Sequence, residues 1–229
     1  MYRRSLLAVA GVLALAGLTT AGSAVASSSS TGVSVRIEGL KRTLLPATTV
    51  KVPATGSITK GGTPAGVCPA STAAGALNVA THHNWGGKYS SGLGVEVLSV
   101  LGESHSFTSS DYWSILVNNK YAESGACGLK LKPGEHIVFA AVPDKGPTEY
   151  PLIVSAPAHA TAGHAFIVKV SWANAKGATK PLAGVSVTGA GVTGKTGAVT
   201  VTASKAGKLT LTASKTGYIR DEATVSVAD

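Results

Sequence analysis

Asp111-Tyr-Trp-Ser-Ile-Leu-Val-Asn-Asn-Lys-Tyr121 alternates along its first half and then turns. Trp113, Ile115 and Val117 fall on one face, the period-two pattern of a half-buried strand. Asn118-Asn119 supplies two residues that tolerate φ > 0, which a tight hairpin turn needs. Downstream, Lys132-Pro-Gly-Glu135 marks a turn, and His136 to Val142 reads as a closing strand. Upstream, Val33-Ser-Val-Arg-Ile-Glu38 alternates strictly and predicts a half-exposed strand. Leu44-Leu45 and Thr48 to Val52 predict a second extended stretch ended by Pro53, and Val95 to Leu101 predicts another. Ser71 or Thr72 is placed to cap a helix running to about Thr81. Gly75 is its weak point, costing about 1 kcal/mol relative to Ala. Trp85-Gly86-Gly87 reads as loop.

Pro143-Asp-Lys-Gly-Pro147 then breaks the pattern. Beyond it the chain is strand and turn: Leu152 to Ser155, Ala165 to Trp172, Gly184 to Thr188, Gly197 to Ala203, Lys208 to Ala213 and Ala223 to Val227. Val199-Thr-Val-Thr-Ala-Ser-Lys-Ala-Gly207 recurs ten residues later as Leu209-Thr-Leu-Thr-Ala-Ser-Lys-Thr-Gly217, which predicts a hairpin with a Gly turn. Short strands at near-regular spacing predict an immunoglobulin-like sandwich.

Composition agrees. The 229 residues include 28 Gly, 44% apolar residues and only 14% charged residues. That apolar content can offset chain entropy, so the chain folds. It lacks the Glu, Lys and Leu of a coiled coil. Met1 to Ala26 has Arg3 and Arg4, an uncharged apolar run from Leu6 to Leu18, and Ala24-Val-Ala26 as a cleavage site. These are the parts of a secretory signal peptide. The run is short for a bilayer span of about 20 residues, so the expected mature chain has no integral membrane segment. Cleavage leaves a charge of +7, from 18 basic and 11 acidic residues. The lysines scatter over Gly-rich turns (Lys60, Lys88, Lys176, Lys195 and Lys208) and form no basic stripe. Nucleic acid is therefore not an expected partner.

Few residues are candidates for chemistry. Cys68 and Cys127 are the only thiols, and export favours a disulfide between them over a catalytic thiol. A loop of about 60 residues would add roughly 4 kcal/mol in the chain-entropy account. Gly189 to Thr196 formally matches the phosphate-loop pattern, but a β-branched alternating run follows where a helix is required, so the match is set aside. The six histidines, His82, His83, His105, His136, His159 and His164, lack zinc-site spacing, and no metal or cofactor is expected. No G-x-S-x-G elbow occurs, and the eleven acids form no local pair motif. Trp113 reads as core. Trp85, in a Gly-rich stretch, reads equally well as core or as a stacking surface for a sugar or planar ligand.

Tyr112 to Gly125, followed by Cys127 to Ala141, resembles the transcobalamin C-terminal-like domain, whose bacterial copies are known as a domain of unknown function. The shared pattern is a Trp strand, a V-N-G turn and L-x-x-G-D before a final strand. Here Asn119 stands where Gly is usual and Glu135 where Asp is usual. Cys68 to Leu77 is similar to the family's helix start. The resemblance covers about residues 33–142 and implies a small β-rich domain with one helix. It also implies a cobalamin contact, although the helical barrel that forms most of that pocket in transcobalamin has no counterpart here. Trp113, Asn118 and Asn119 would be the contacts.

The expected fold is therefore mainly β. Residues 1–26 are the signal peptide and 27–32 a Ser-rich linker. Residues 33–146 are the transcobalamin-like α+β domain and 151–229 the immunoglobulin-like β-sandwich. The expected function is a secreted or cell-envelope-associated, non-catalytic binding or adhesion module. Its partner is an extracellular ligand or envelope polymer, and the candidate ligand-binding residues are Trp85, Trp113, Asn118 and Asn119. The alternative is an extracellular carrier of a small molecule, such as a corrinoid.

Overall fold

A computed structural model describes residues 30–229. The expected signal peptide and the start of the Ser-rich linker lie outside the described residues; Thr31 and Gly32, expected as linker, already belong to the first strand. The first half contains β1 (Thr31–Glu38), β2 (Thr43–Val52), α1 (Ala73–Ala80), β3 (Trp85–Ser90), β4 (Gly94–Val100), β5 (Glu103–Ser104), β6 (Asp111–Val117), β7 (Lys120–Tyr121) and β8 (His136–Pro143). One sheet has the order β2-β1-β8-β6-β7, and a smaller one has the order β3-β4-β5. Asn118 and Asn119 sit at φ 49° and 66°, as the β6–β7 turn requires. Trp85-Gly86-Gly87 is strand, not the expected loop, and pairs with the end of β4.

The larger sheet is buried on both faces near its centre. Ile137, Phe139 and Ala141 of β8 join Val33, Val35 and Ile37 of β1 in the core under α1. The intervening Val138, Ala140 and Val142 join Leu116 and Ile219 in a second cluster on the opposite face. A strand covered on both sides reads as a continuous apolar run, which β8 is.

The second half contains β9 (Tyr150–Ser155), β10 (His159–Thr161), β11 (Ala165–Ala173), β12 (Thr179–Pro181), β13 (Ser186–Val187), β14 (Gly191–Val192), β15 (Ala198–Thr202), β16 (Gly207–Ser214), β17 (Tyr218–Ile219) and β18 (Asp221–Ala228). Two sheets, β10-β18-β16-β13-β14 and β12-β11-β9-β17, enclose a core of Leu152, Val168, Val170, Val187, Leu211 and Val225 with their neighbours, and β15 pairs with β11. This is a sandwich. The expected β15–β16 hairpin does not form. β15 pairs with β11 in one sheet, while β16 pairs with β18 and β13 in the other. The repeat buries Val201 and Ala203, then Leu211 and Ala213, in the same core. Inward alternation therefore survives, but the connection crosses between sheets. Gly189 to Thr196 leads into β15 and no helix follows it, whereas a phosphate loop would require one.

The β1 reading needs correction too. Arg36 and Glu38 are 4% and 2% exposed, not solvent-facing. Their side of β1 meets β17 and β18. Arg36 pairs with Asp221, and its Nε lies 3.4 Å from Glu38 Oε1. Arg220 Nε donates to Glu38 Oε2 at 3.1 Å, and its NH groups donate to the carbonyls of Gly39 and Leu40. Thr43 Oγ1 donates to Glu38, Val154 N–H donates to Asp221, and Ala47 N–H donates to Glu222. Burial holds the Glu38 carboxyl above its ordinary range, and the two guanidiniums and Thr43 draw it back.

Gly75 has an unforeseen role. A Cβ there would lie 1.7 Å from the Ala70 carbonyl oxygen, so the helix approaches that backbone too closely for Ala. Thr72 precedes the helix, but its hydroxyl donates to Pro69 O. The N–H groups of Ala73 and Ala74 donate instead to Leu129 O and Ala126 O, each at 3.0 Å, satisfying donors a helix start leaves open.

Two measurements check these points. Gly75→Ala should destabilise the protein by about 1–3 kcal/mol in urea unfolding, because overpacking against fixed backbone outweighs the gain in helix propensity. Arg36→Met should cost about 3 kcal/mol near neutral pH, since it leaves Glu38 buried against Asp221 with one cation fewer. Glu38 has a raised folded pKa, so its contribution is present below the ordinary Glu pKa and is lost as pH rises through the folded value. Removing Arg36 raises that value further. The deficit relative to the unsubstituted protein should therefore shrink as pH falls from 8 toward about 4; a constant deficit would contradict the assignment.

Candidate functional site

A cleft of about 460 Å³ opens between the β3–β4 hairpin and β6, within the range of roughly 300–1,000 Å³ typical of ligand pockets. Val95 and Val97 of β4 form one wall, and Tyr112 to Ile115 of β6 form another. Ala122 to Ala126 close it. Leu93, at the hairpin tip, is 85% exposed, and Phe107 is 58% exposed. A second cleft continues past Leu93 to Val67, also exposed. Three of the six large apolar side chains exposed among the described residues therefore line one trough, and a grouping of that kind marks a contact surface.

Trp113 lies in this cleft and is 5% exposed. Its indole N–H finds no acceptor among the described residues. Its backbone also lacks a strand on one side. β6 and β8 exchange hydrogen bonds through even-numbered β6 residues, as the neighbouring Asn118 N–H to His136 O bond shows. Odd-numbered residues therefore point away from β8. Asp111 O accepts from Ser106 N–H, and Ile115 O accepts from Ala122 N–H. On that side no strand pairs with Trp113, since β7 meets only Leu116 and Val117. Buried polar groups are nearly always satisfied, so three open groups on one residue set this position apart.

The charges around the cleft are negative. Glu96 and Glu123 line it, and no Lys or Arg does. Glu96 Oε1 accepts from Phe107 N–H at 2.8 Å, holding the Phe107 loop over the cleft. Behind Trp113, His105 packs edge-on at 5.3 Å between ring centroids. Its Nε2 meets Glu103 Oε1 at 2.8 Å. Burial alone would raise the Glu103 carboxyl, but the bonds from His105 and Leu40 N–H outweigh it and hold the carboxyl below its ordinary range.

The other sequence-derived candidates do not gather here. Trp85 is 5% exposed, and its Nε1 donates to Asn78 Oδ1 at 3.0 Å; it presents no stacking face. Asn118 Oδ1 accepts from His136 N–H. Asn119 lines a separate groove with Arg36 and Asp221. Cys68 and Cys127 form a disulfide with Cα atoms 4.8 Å apart. It anchors the segment whose carbonyls receive the helix N–H groups and whose start walls the cleft. Among the described residues, no three His, Cys, Asp or Glu side chains gather closely enough to hold a metal. No described helix is long and apolar enough to cross a membrane. Leu93 and Phe107 carried no periodic signal in the sequence; only their exposure beside Trp113 reveals them.

Residues 73–142 match the family described as a domain of unknown function, DUF4430. The match starts with α1 and ends in β8, so it contains every residue lining the cleft and omits β1 and β2. No curated protein matches the chain. Within the DUF4430 segment, the disulfide links its interior to Cys68 just outside. Replacing Cys68 and Cys127 by Ser should lower stability by about 4 kcal/mol in chemical unfolding. It should also speed hydrogen exchange at Ala73 and Ala74, whose acceptors the bridge holds in place. Unchanged exchange there would show that the bridge does not position them.

Proposed function

We propose that this chain is a non-catalytic binding module that acts outside the cytoplasm, capturing an extracellular or envelope ligand in the Leu93–Phe107–Trp113 cleft. The sandwich half acts as a rigid support of the immunoglobulin-like kind. The observation that carries this reading is the juxtaposition of exposed apolar side chains with the open polar groups of Trp113. Exposed Leu and Phe side chains cost solubility and suit a contact surface. The N-terminal signal sequence and the disulfide support an oxidising destination. A non-catalytic role fits the chemistry of the described residues. Both thiols are joined, and the carboxylate of the Glu103–His105 pair is committed to holding Leu40 N–H and its own histidine.

A thermal-shift panel of wall fragments, glycans, planar-ring compounds and a corrinoid tests the reading. A cleft ligand at 100 times its Kd should stabilise the unsubstituted protein by about 2.7 kcal/mol. The Leu93→Ser/Phe107→Ser protein should lose little melting temperature, chiefly through the Phe107 contact with Tyr112, and should lose the ligand-induced rise. An equal rise in both proteins would place binding elsewhere. A corrinoid response abolished by these changes would favour the small-molecule carrier.

A further inference from the structure

The geometry points to an extended, cationic peptide as the occupant of the cleft, paired through its backbone with the free edge of β6 at Trp113. This inference rests on the binding role proposed above and names the ligand class. β6 is near the margin of its sheet, because β7 covers only Leu116 and Val117. Between the Ser106 bond to Asp111 and the Ala122 bond to Ile115, the Trp113 N–H and C=O stand open as a donor and acceptor pair. An added strand takes up such a pair. Facing it, β4 pairs with β5 only at Ser99 and Val100, so its outer edge from Gly94 to Val97 also carries no strand.

The side walls set what the peptide must carry. Side chains alternate along an added strand, so one set lies against Leu93, Val95 and Phe107 and must be apolar. Glu96 and Glu123 carry the charge of the cleft, with no Lys or Arg among its lining residues. A Lys or Arg on the peptide complements them. A glycan would satisfy the polar groups and leave the apolar rim uncovered. A flat ring system would cover the rim and leave the Trp113 donor and acceptor pair unmet. A peptide strand meets both demands.

The test pans a library of short random peptides against the full chain and removes sequences that also bind the Leu93→Ser/Phe107→Ser protein. Enriched peptides should alternate apolar residues and carry Lys or Arg. A synthetic enriched peptide is then N-methylated on alternate residues, in each of the two phases. One phase should lose at least about tenfold in affinity and the other should not, because only one edge of the peptide pairs with β6. Exchanging its Lys for Glu should cost a similar factor, and Glu96→Gln with Glu123→Gln should erase that difference. Binding should slow hydrogen exchange at the Trp113 amide.

The proposal is overturned if no sequence enriches, if both N-methylated phases bind like the parent, or if the Trp113 amide is unaffected. If peptides fail while a glycan or planar compound still shifts only the unsubstituted protein, the binding role stands and the peptide assignment falls. If no probe separates the two proteins, the cleft itself is not the binding site.

Discussion

Four charged side chains between the two halves, two buried and two half-buried, hold the rest of the arrangement. Arg36, Glu38, Arg220 and Asp221 carry two charges of each sign, so the set is neutral as a group. Removing such charges from water costs several kcal/mol per ion, and pairing roughly returns it. The net stabilisation is small. The specificity is large, because any other seating of the sandwich on the sheet would leave a buried ion alone. The apolar contact beside it, Ile219 against Val138, Ala140 and Val142, supplies burial without direction. The charges supply the register. Tyr121 adds a further tie, donating its hydroxyl to Glu149 O at 2.6 Å, and its burial raises the phenol pKa.

That seating has a consequence for the cleft. The sandwich covers one face of the sheet, and α1 with the smaller sheet covers much of the other. What remains open is an edge, at the middle of β6. Sheets commonly guard such edges with charge, bulges or covering loops. Here the guards stop short of Trp113, where Ser106 and Ala122 each take one bond on either side. Leu93 and Phe107 then give the opening an apolar rim. The disulfide matters through the same region, since it anchors the backbone that receives the helix start and forms the cleft's closing wall.

The strands were legible in the sequence wherever local chemistry sets them. β6, β8, β11 and β18 follow from alternation or apolar runs, and the Asn118-Asn119 turn follows from tolerance of positive φ. The disulfide followed from there being two cysteines behind an expected export signal. Three readings failed because their answers depend on distant partners. Arg36 and Glu38 look solvent-facing by period, and only the arrival of Arg220 and Asp221 buries them. The repeated Val199 and Leu209 runs look like a hairpin, yet inward alternation alone does not say which sheet each joins. Gly75 looks like a helix fault until Ala70 is seen against it.

The site divides in the same way. Trp113 was marked by its phase with Ile115, but its open N–H and C=O depend on which neighbours fail to reach it. Leu93 and Phe107 carry no pattern, because exposure of a loop side chain is fixed by packing elsewhere. The amino-acid order alone determined a β-rich, disulfide-bridged chain with one helix, since propensity and turn chemistry act locally or through composition. Only the tertiary structure decided which strand pairs with which, which charges are buried together, and where a sheet edge stays open, because each depends on contacts between residues far apart in the chain.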